Sequence, residues 1–326
     1  MKGQLSIKND KQTNFVAKNI AINFNSRGFA SVEKIKTVLN SLKEQEGIKS
    51  LKQLDQQKIE NFVANLKERV ESGSLTASSA QNYASALNTI IDYTNYVNNA
   101  NLGHISAAEA GIHDTVQHID RSISALEISE IKENLINEGK ENLALAVELQ
   151  ENFGLRFRES IGLNIETAKE ALKTGILSVG REDWTKNGRE REILITTEQQ
   201  RAVLGKVAEN LQSREVVNLA GAKDSKDFSP IKETYQQAYR ENIKFHSIRH
   251  TWAQQEYSKG WEQRGFQGIQ APIKFETKEA FRENLQEKTG LSTSEAREID
   301  REIRQEISEQ LGHSRLDVTN TYLGVF

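Results

Sequence analysis

The stretch KFHSIRHTWAQ, residues 244–254, places His246, Arg249 and His250 within five positions of a chain that has six histidines. Two histidines four apart share one face of a helix, the spacing of zinc-binding H-E-x-x-H segments. Here Ser247 stands where the acid should be, Arg249 would set a cation against the metal, and spacing offers no third ligand. An anion suits the group better, because a guanidinium presents a planar fork of donors and a neighbouring imidazole can donate a hydrogen bond or a proton.

Three other stretches carry groups of the same kind. NFGLRFRESIGL, 152–163, sets Arg156 directly after Gly154-Leu155, with Glu159 three positions on as an ion-pair partner. TKNG, 185–188, sets Lys186 beside an Asn-Gly turn, with Arg189 and Arg191 as rivals for its role. EQLGHSRLDVTNTYLG, 309–324, carries His313 and, nine positions later, Tyr322. Each has an ordinary reading when taken alone: a surface arginine, a solvated lysine, a helix-capping histidine, a core tyrosine. His250 and Trp252 read as packing residues that follow the His-x-x-Arg pair.

These groups need elements to hold them, and the chain is composed to be mostly helical. It has two prolines in 326 residues, 37% hydrophobic residues and no cysteine. Disulfides, thiolate zinc sites and a cysteine nucleophile are therefore excluded, and a reducing, cytoplasmic setting is expected. The polar start and the lack of a long apolar run argue for a soluble protein with no membrane partner. Net charge is −3, but the first 113 residues hold thirteen lysines and arginines against ten acids, so any anion site must be local.

Residues 13–97 read as four amphipathic helices, with Ser31, Asp55 and Thr76 or Ser78 as N-caps. Lys34, Lys36 and Lys43 recur on one of these helices at helical spacing and are candidates for phosphate contact. Periodicity is lost over 101–121, which reads as a linker. Helical patterns return from residue 122 and are interrupted by two β-branched runs, GILSVGREDW and REREILIT, which flank the Asn187-Gly188 turn as a hairpin.

The order Arg, Lys, His-x-x-Arg, His, Tyr resembles that of the tyrosine recombinases, the phage-integrase family. The matching motifs are GLRFRE, the Asn-Gly hairpin lysine, HSIRHTWA and LGHSRLDVTNTYLG. The resemblance covers residues 122–326, and the helical unit before it looks like the family's SAM-like core-binding domain. It implies a mainly α fold with a small β hairpin: a helical DNA-binding domain over 1–100, a linker over 101–121 and a mixed α/β catalytic domain over 122–326. It also implies roles. Arg156 and Arg249 would stabilise a pentacoordinate phosphorane, and His246 and His313 would hydrogen-bond the phosphate or move protons. Lys186 would protonate the leaving 5′ oxygen, Tyr322 would be the nucleophile, and Glu159 resembles an acid that orients the active-site arginine. No cofactor or metal is implied. The implied partners are double-stranded DNA, copies of the chain in a tetramer on paired sites, and accessory DNA-bending proteins. The implied use is integration or excision of a mobile element, with Xer-type dimer resolution, topoisomerase IB-like strand passage and a non-enzymatic DNA-binding role as alternatives.

Two features depart from the family pattern. Sixty-four positions separate Arg249 from His313, so a segment of about 260–296 reads as an insertion: a loop carrying Trp261, Phe266 and Phe275, a charged helix, and a capped restart at Ser292–Ser294. Only four residues follow Tyr322, so either the insertion, whose job is protomer contact ahead of DNA contact or packing, joins the protomers, or the assembly is regulated differently.

Overall fold

A computed structural model describes residues 5–23, 29–113, 118–180, 183–185, 190–221, 230, 233–234, 237, 245–313 and 315–326. The chain forms two compact units, Met1–Gln117 and His118–Phe326.

The first unit holds helices α1 (Asp10–Asn23), α2 (Phe29–Gln45), α3 (Gln56–Glu71) and α4 (Ala77–Asn98). Apolar residues at three- and four-residue steps close a core of Val16, Ile20, Val38, Leu39, Leu42, Phe62, Leu66, Leu87 and Ile91. Asp55 and Thr76 cap α3 and α4, accepting from the backbone N–H of Lys58 and Ser79. Ser31 is not a cap, because α2 is already helical from Phe29.

The stretch expected as a linker contributes to this unit. Leu102, Ile105, Ala107, Ala110 and Ile112 pack on its core. Two amide side chains of α4 hold the segment as a neighbouring strand would. Asn95 pairs with both backbone groups of Leu102 at 2.9 Å, and Asn88 with those of Ile105 at 2.9 and 3.0 Å. Side-chain amides substitute for regular structure over these described residues.

The second unit begins with α5 (Ala125–Asn137), α6 (Glu141–Phe153), α7 (Phe157–Gly162) and α8 (Ile165–Thr174). Strands β1 (Ile176–Val179) and β2 (Arg191–Leu194) then pair antiparallel, with Val179 opposite Arg191. The expected hairpin thus forms, although Lys186 and its turn lie outside the described residues. Its base is fixed by Asp183, whose carboxylate accepts from the backbone N–H groups of Asn164 and Gly180, each at 3.0 Å. Next come α9 (Glu198–Ser213), α10 (Phe245–Gln263), α11 (Lys278–Thr289), α12 (Thr293–Leu311) and the short α13 (Asn320–Leu323).

Helix α10 bridges two cores in this unit. Ile248 enters one with Leu149, Phe153, Leu155, Leu177 and Ile193, while Trp252, Tyr257 and Trp261 enter another with Phe281, Leu285, Ile303 and Ile307. Trp261 is therefore not on a loop: α10 continues to Gln263, and the indole is buried in its last turns. The inserted segment turns its other aromatic residues inward too, with Phe266 and Phe275 packed on the same core. It also receives the residues that follow α13. Phe326 meets the Phe281 ring edge-on at 5.5 Å, and Arg282 and Arg297 lie over its face. Gly324 lies so close to Ile273 that an added Cβ would come within 2.7 Å of its backbone nitrogen.

Candidate active site

The first wall of the site is made where α6 stops. Gly154 ends that helix in the left-handed region at φ +59, and any side chain there would overlap the Trp252 indole. The chain then turns through Leu155, and Arg156 takes extended backbone at the start of α7. Glu159, completely buried, accepts the Arg156 backbone N–H at 2.8 Å and its Nη1 at 2.7 Å.

Arg191 approaches the same carboxylate from β2. Its Nη2 donates to Glu159 Oε2 at 2.7 Å and its Nη1 to Oε1 at 3.2 Å, while Nε reaches the Gln310 carbonyl at 2.9 Å. Gly312 follows at φ +67, and a Cβ there would come within 2.9 Å of Arg191 Cδ. Glu159, the hairpin and the turn before His313 are thus joined through one buried guanidinium.

Arg249 projects from α10 into the centre and is fully buried. It donates Nη1 to the Gly154 carbonyl, Nη2 to the Leu311 carbonyl at 2.7 Å and Nε to the Tyr322 hydroxyl at 3.2 Å. His313 Nε2 lies 3.4 Å from Nη2, and its Nδ1 lies 3.1 Å from Thr319 Oγ1. The tautomer that satisfies both contacts carries its proton on Nδ1. His246 Nε2 is 3.4 Å from the Tyr322 hydroxyl. Tyr322 stacks on the His313 ring at 5.5 Å and lies 4.6 Å from His250.

The electrostatics follow from burial beside cations. Burial alone would raise the Glu159 carboxyl, but Arg191 first, then Arg156 and Arg249, hold it at about 2. Partial loss of solvent, then Arg249 and Arg156, pull His246, which keeps an exposed face, down to about 4 and the half-buried His313 to about 3, so both are neutral at pH 7. Burial lowers Arg249 to about 10, still charged. The site therefore offers cationic donors, neutral imidazoles able to accept a proton, and a hydroxyl between them. That combination suits attack on a phosphate ester.

Of the residues expected from sequence, Arg156, Glu159, His246, Arg249, His313 and Tyr322 converge here, while Lys186 lies outside the described residues. His250 is fully buried against Tyr322, as a packing residue would be. Among the described residues no group of three or more His, Asp or Glu could hold a metal, so His246 and His250 have no third ligand. In the first unit Lys34 donates to Asn82 at 2.7 Å, and Lys43 pairs with Asp10 at 3.4 Å. Lys36 is partly exposed on α2.

Sequence reasoning passed over the residues that hold the others. Arg191 was a rival for the lysine role, yet it is committed to Glu159. Strand alternation carried the signal, since Arg191 and Ile193 share the buried face of β2 while Glu192 and Leu194 are exposed. Gln254 links Asp120 Oδ1 at 2.9 Å to the Tyr322 carbonyl at 3.2 Å. Arg304 binds Asp300 at 2.7 Å, Asn320 at 2.9 Å and the Gly324 carbonyl at 2.8 Å. No local motif marks either of these.

Residues 115–255 match the family model described as Integrase. The fold is similar to that of a lambda integrase tetramer bound to a Holliday junction, at 14% identity and TM-score 0.54 over 94% of this chain and 75% of that one. It is also similar to the Tn1549 transposon integrase in complex with circular intermediate DNA, at 13% identity and TM-score 0.51 over 95% of each chain. A lambda integrase dimer bound to a core site gives TM-score 0.52 at 14% identity over 98% of this chain and 78% of that one. No curated protein sequence matches. The integrase model thus matches the stretch that carries Arg156, His246 and Arg249, and the fold of the chain is similar to that of these integrases.

Among the described residues no helix is long and apolar enough to cross a membrane.

Proposed function

We propose that the protein is a site-specific DNA recombinase that cuts and rejoins strands through a 3′-phosphotyrosyl intermediate, and that it integrates or excises a mobile element. The observation that carries this reading is the position of the Tyr322 hydroxyl, 3.2 Å from Arg249 Nε and 3.4 Å from His246 Nε2. One neighbour is a cation for the developing charge and the other a neutral base for the proton.

In the proposed reaction the Tyr322 oxygen attacks the scissile phosphorus, passing its proton to His246, and the bond from phosphorus to the 5′ oxygen breaks. Lys186 gives the leaving oxygen a proton. Arg156 and Arg249 bind the non-bridging oxygens, whose charge grows in the transition state, so their stabilisation is greater there than in the ground state. Rejoining is the reverse, with a 5′ hydroxyl from the partner strand attacking the phosphotyrosine. Because the bond energy is retained in the covalent link the reaction needs no nucleotide, and because the arginines supply the positive charge it needs no metal. Pairing of two sites by four protomers through a Holliday junction is supported by the likeness to an integrase tetramer described on such a junction. The lysines of α2 are proposed DNA contacts, and accessory DNA-bending proteins proposed partners.

The test is covalent trapping on a nicked duplex carrying a site selected from a randomised library. Wild type should become DNA-linked and Tyr322→Phe should not. A Tyr322→Phe protein that still became linked would remove the nucleophile assignment.

A further inference from the structure

We propose that Arg191 is a positioning residue that sets the charge of the catalytic centre, by neutralising Glu159 so that Arg156 keeps its full positive charge for the phosphate. The inference rests on the recombinase reading above and assigns a role within the same site.

The geometry carries it. Glu159 is completely buried and accepts from both Arg156 and Arg191, with Nη-to-Oε contacts of 2.7 Å on each side. With Arg156 as its sole partner, the carboxylate would cancel the charge of the arginine meant for the substrate. Arg191 supplies the counter-charge instead, and it is placed to do nothing else. Its side chain is 5% exposed, two of its nitrogens face Glu159 and the third is bound to the Gln310 carbonyl. Arg156, by contrast, retains 26% of its side-chain exposure and can meet a ligand.

Charge counting gives the arrangement a purpose. Among the described residues, Arg156, Arg191 and Arg249 against Glu159 leave an excess of two positive charges around the hydroxyl, the histidines being neutral. That excess matches a phosphodiester passing from a monoanion to a dianionic phosphorane. Without Arg191 the excess falls to one, enough for the ground state and short for the transition state, so the loss belongs in the rate more than in binding.

The experiment measures single-turnover covalent-complex formation at saturating nicked duplex. Two linkages are compared at the scissile position: a phosphate, and a methylphosphonate in which a methyl group replaces one charged oxygen. Arg191→Met should form the complex about 100-fold more slowly on phosphate, the size expected for loss of positioning and charge around a reacting centre. Its DNA-binding midpoint should stay within about threefold of wild type, and its deficit should shrink to under about tenfold on methylphosphonate, which needs less charge. Arg191→Lys, which keeps the cation, should fall between. The Glu159→Gln/Arg191→Met pair, which leaves no buried unpaired charge, should recover at least about tenfold of the loss and serves where the single variant does not fold. Equal deficits on both linkages, or no deficit on phosphate, would overturn the proposal. A wild-type protein that forms no covalent complex would instead overturn the recombinase reading, and this inference with it.

Discussion

Arg249 donates its Nε–H to the Tyr322 hydroxyl across 3.2 Å, although 73 positions of sequence separate them. The same guanidinium holds the carbonyls of Gly154 and Leu311, which end the helices α6 and α12. Arg249 is therefore a pin between two helix ends as well as the partner of the hydroxyl. Arg249→Lys keeps a cation but cannot span three acceptors in one plane. It should slow covalent-complex formation by about 10²-fold or more, and it should lower thermal stability, since carbonyls left unpaired cost about 1–3 kcal/mol each. A calorimetric midpoint equal to wild type would refute the pinning role.

Gly154→Ala tests the geometry of the first wall. The residue needs φ +59 and has no room beside Trp252. The left-handed backbone alone should cost about 1–2 kcal/mol, and displacement of the indole adds to it. Urea unfolding should show a loss above about 2 kcal/mol, and a smaller loss would mean that Trp252 can move aside.

Arg304 holds the segment on which Tyr322 is carried, bonding Asn320 and the Gly324 carbonyl while paired with buried Asp300. Arg304→Met strands that carboxylate, a change that typically costs about 3–5 kcal/mol. Asp300 keeps the Tyr257 hydroxyl at 2.7 Å, so the lower end is expected. DNA-bound variant protein should show faster proteolysis near residues 320–326 than wild type. Unchanged cleavage there would show that the insertion alone holds the segment.

Stability should depend on pH through His250. It is completely buried, and burial first, then His246, Arg121 and Arg249, with Asp120 opposing, depress it to about 4. A histidine whose folded value lies below its unfolded value of 6.5 binds more protons when unfolded, so acid favours unfolding. Its contribution is fully present above pH 6.5 and is lost as pH falls toward 4, amounting to on the order of 3 kcal/mol. His250→Leu should flatten the slope of the thermal midpoint over that window, measured by calorimetry. A slope identical to wild type would assign the acid sensitivity to other groups.

Much of this site was legible in the one-dimensional chain. Residue type and order singled out Arg156, Glu159, His246, Arg249, His313 and Tyr322, which converge, and Asn187-Gly188 between β-branched runs marked the hairpin. These are local signals, set by backbone sterics and by side-chain type, and they survive without knowledge of neighbours. Alternation set Arg191 on the same face of its strand as Ile193, but the counter-charge it meets there was not legible, because Glu159 comes from a segment 32 positions away. Residues 102–112 likewise reveal their attachment only when Asn88 and Asn95 on α4 are placed beside them.

Sequence alone determined which chemical groups this protein possesses and the helices and hairpin that carry them, since propensity, capping and hydrophobic period act over a few residues. Tertiary structure alone decided that Glu159 would be shared by two arginines, that Arg249 would join two helix ends to the Tyr322 hydroxyl, and that the insertion would fold back around residues 322–326. Those outcomes depend on burial and on distances between segments far apart in the chain, and a buried charge takes its meaning from whichever counter-charge the packing brings to it.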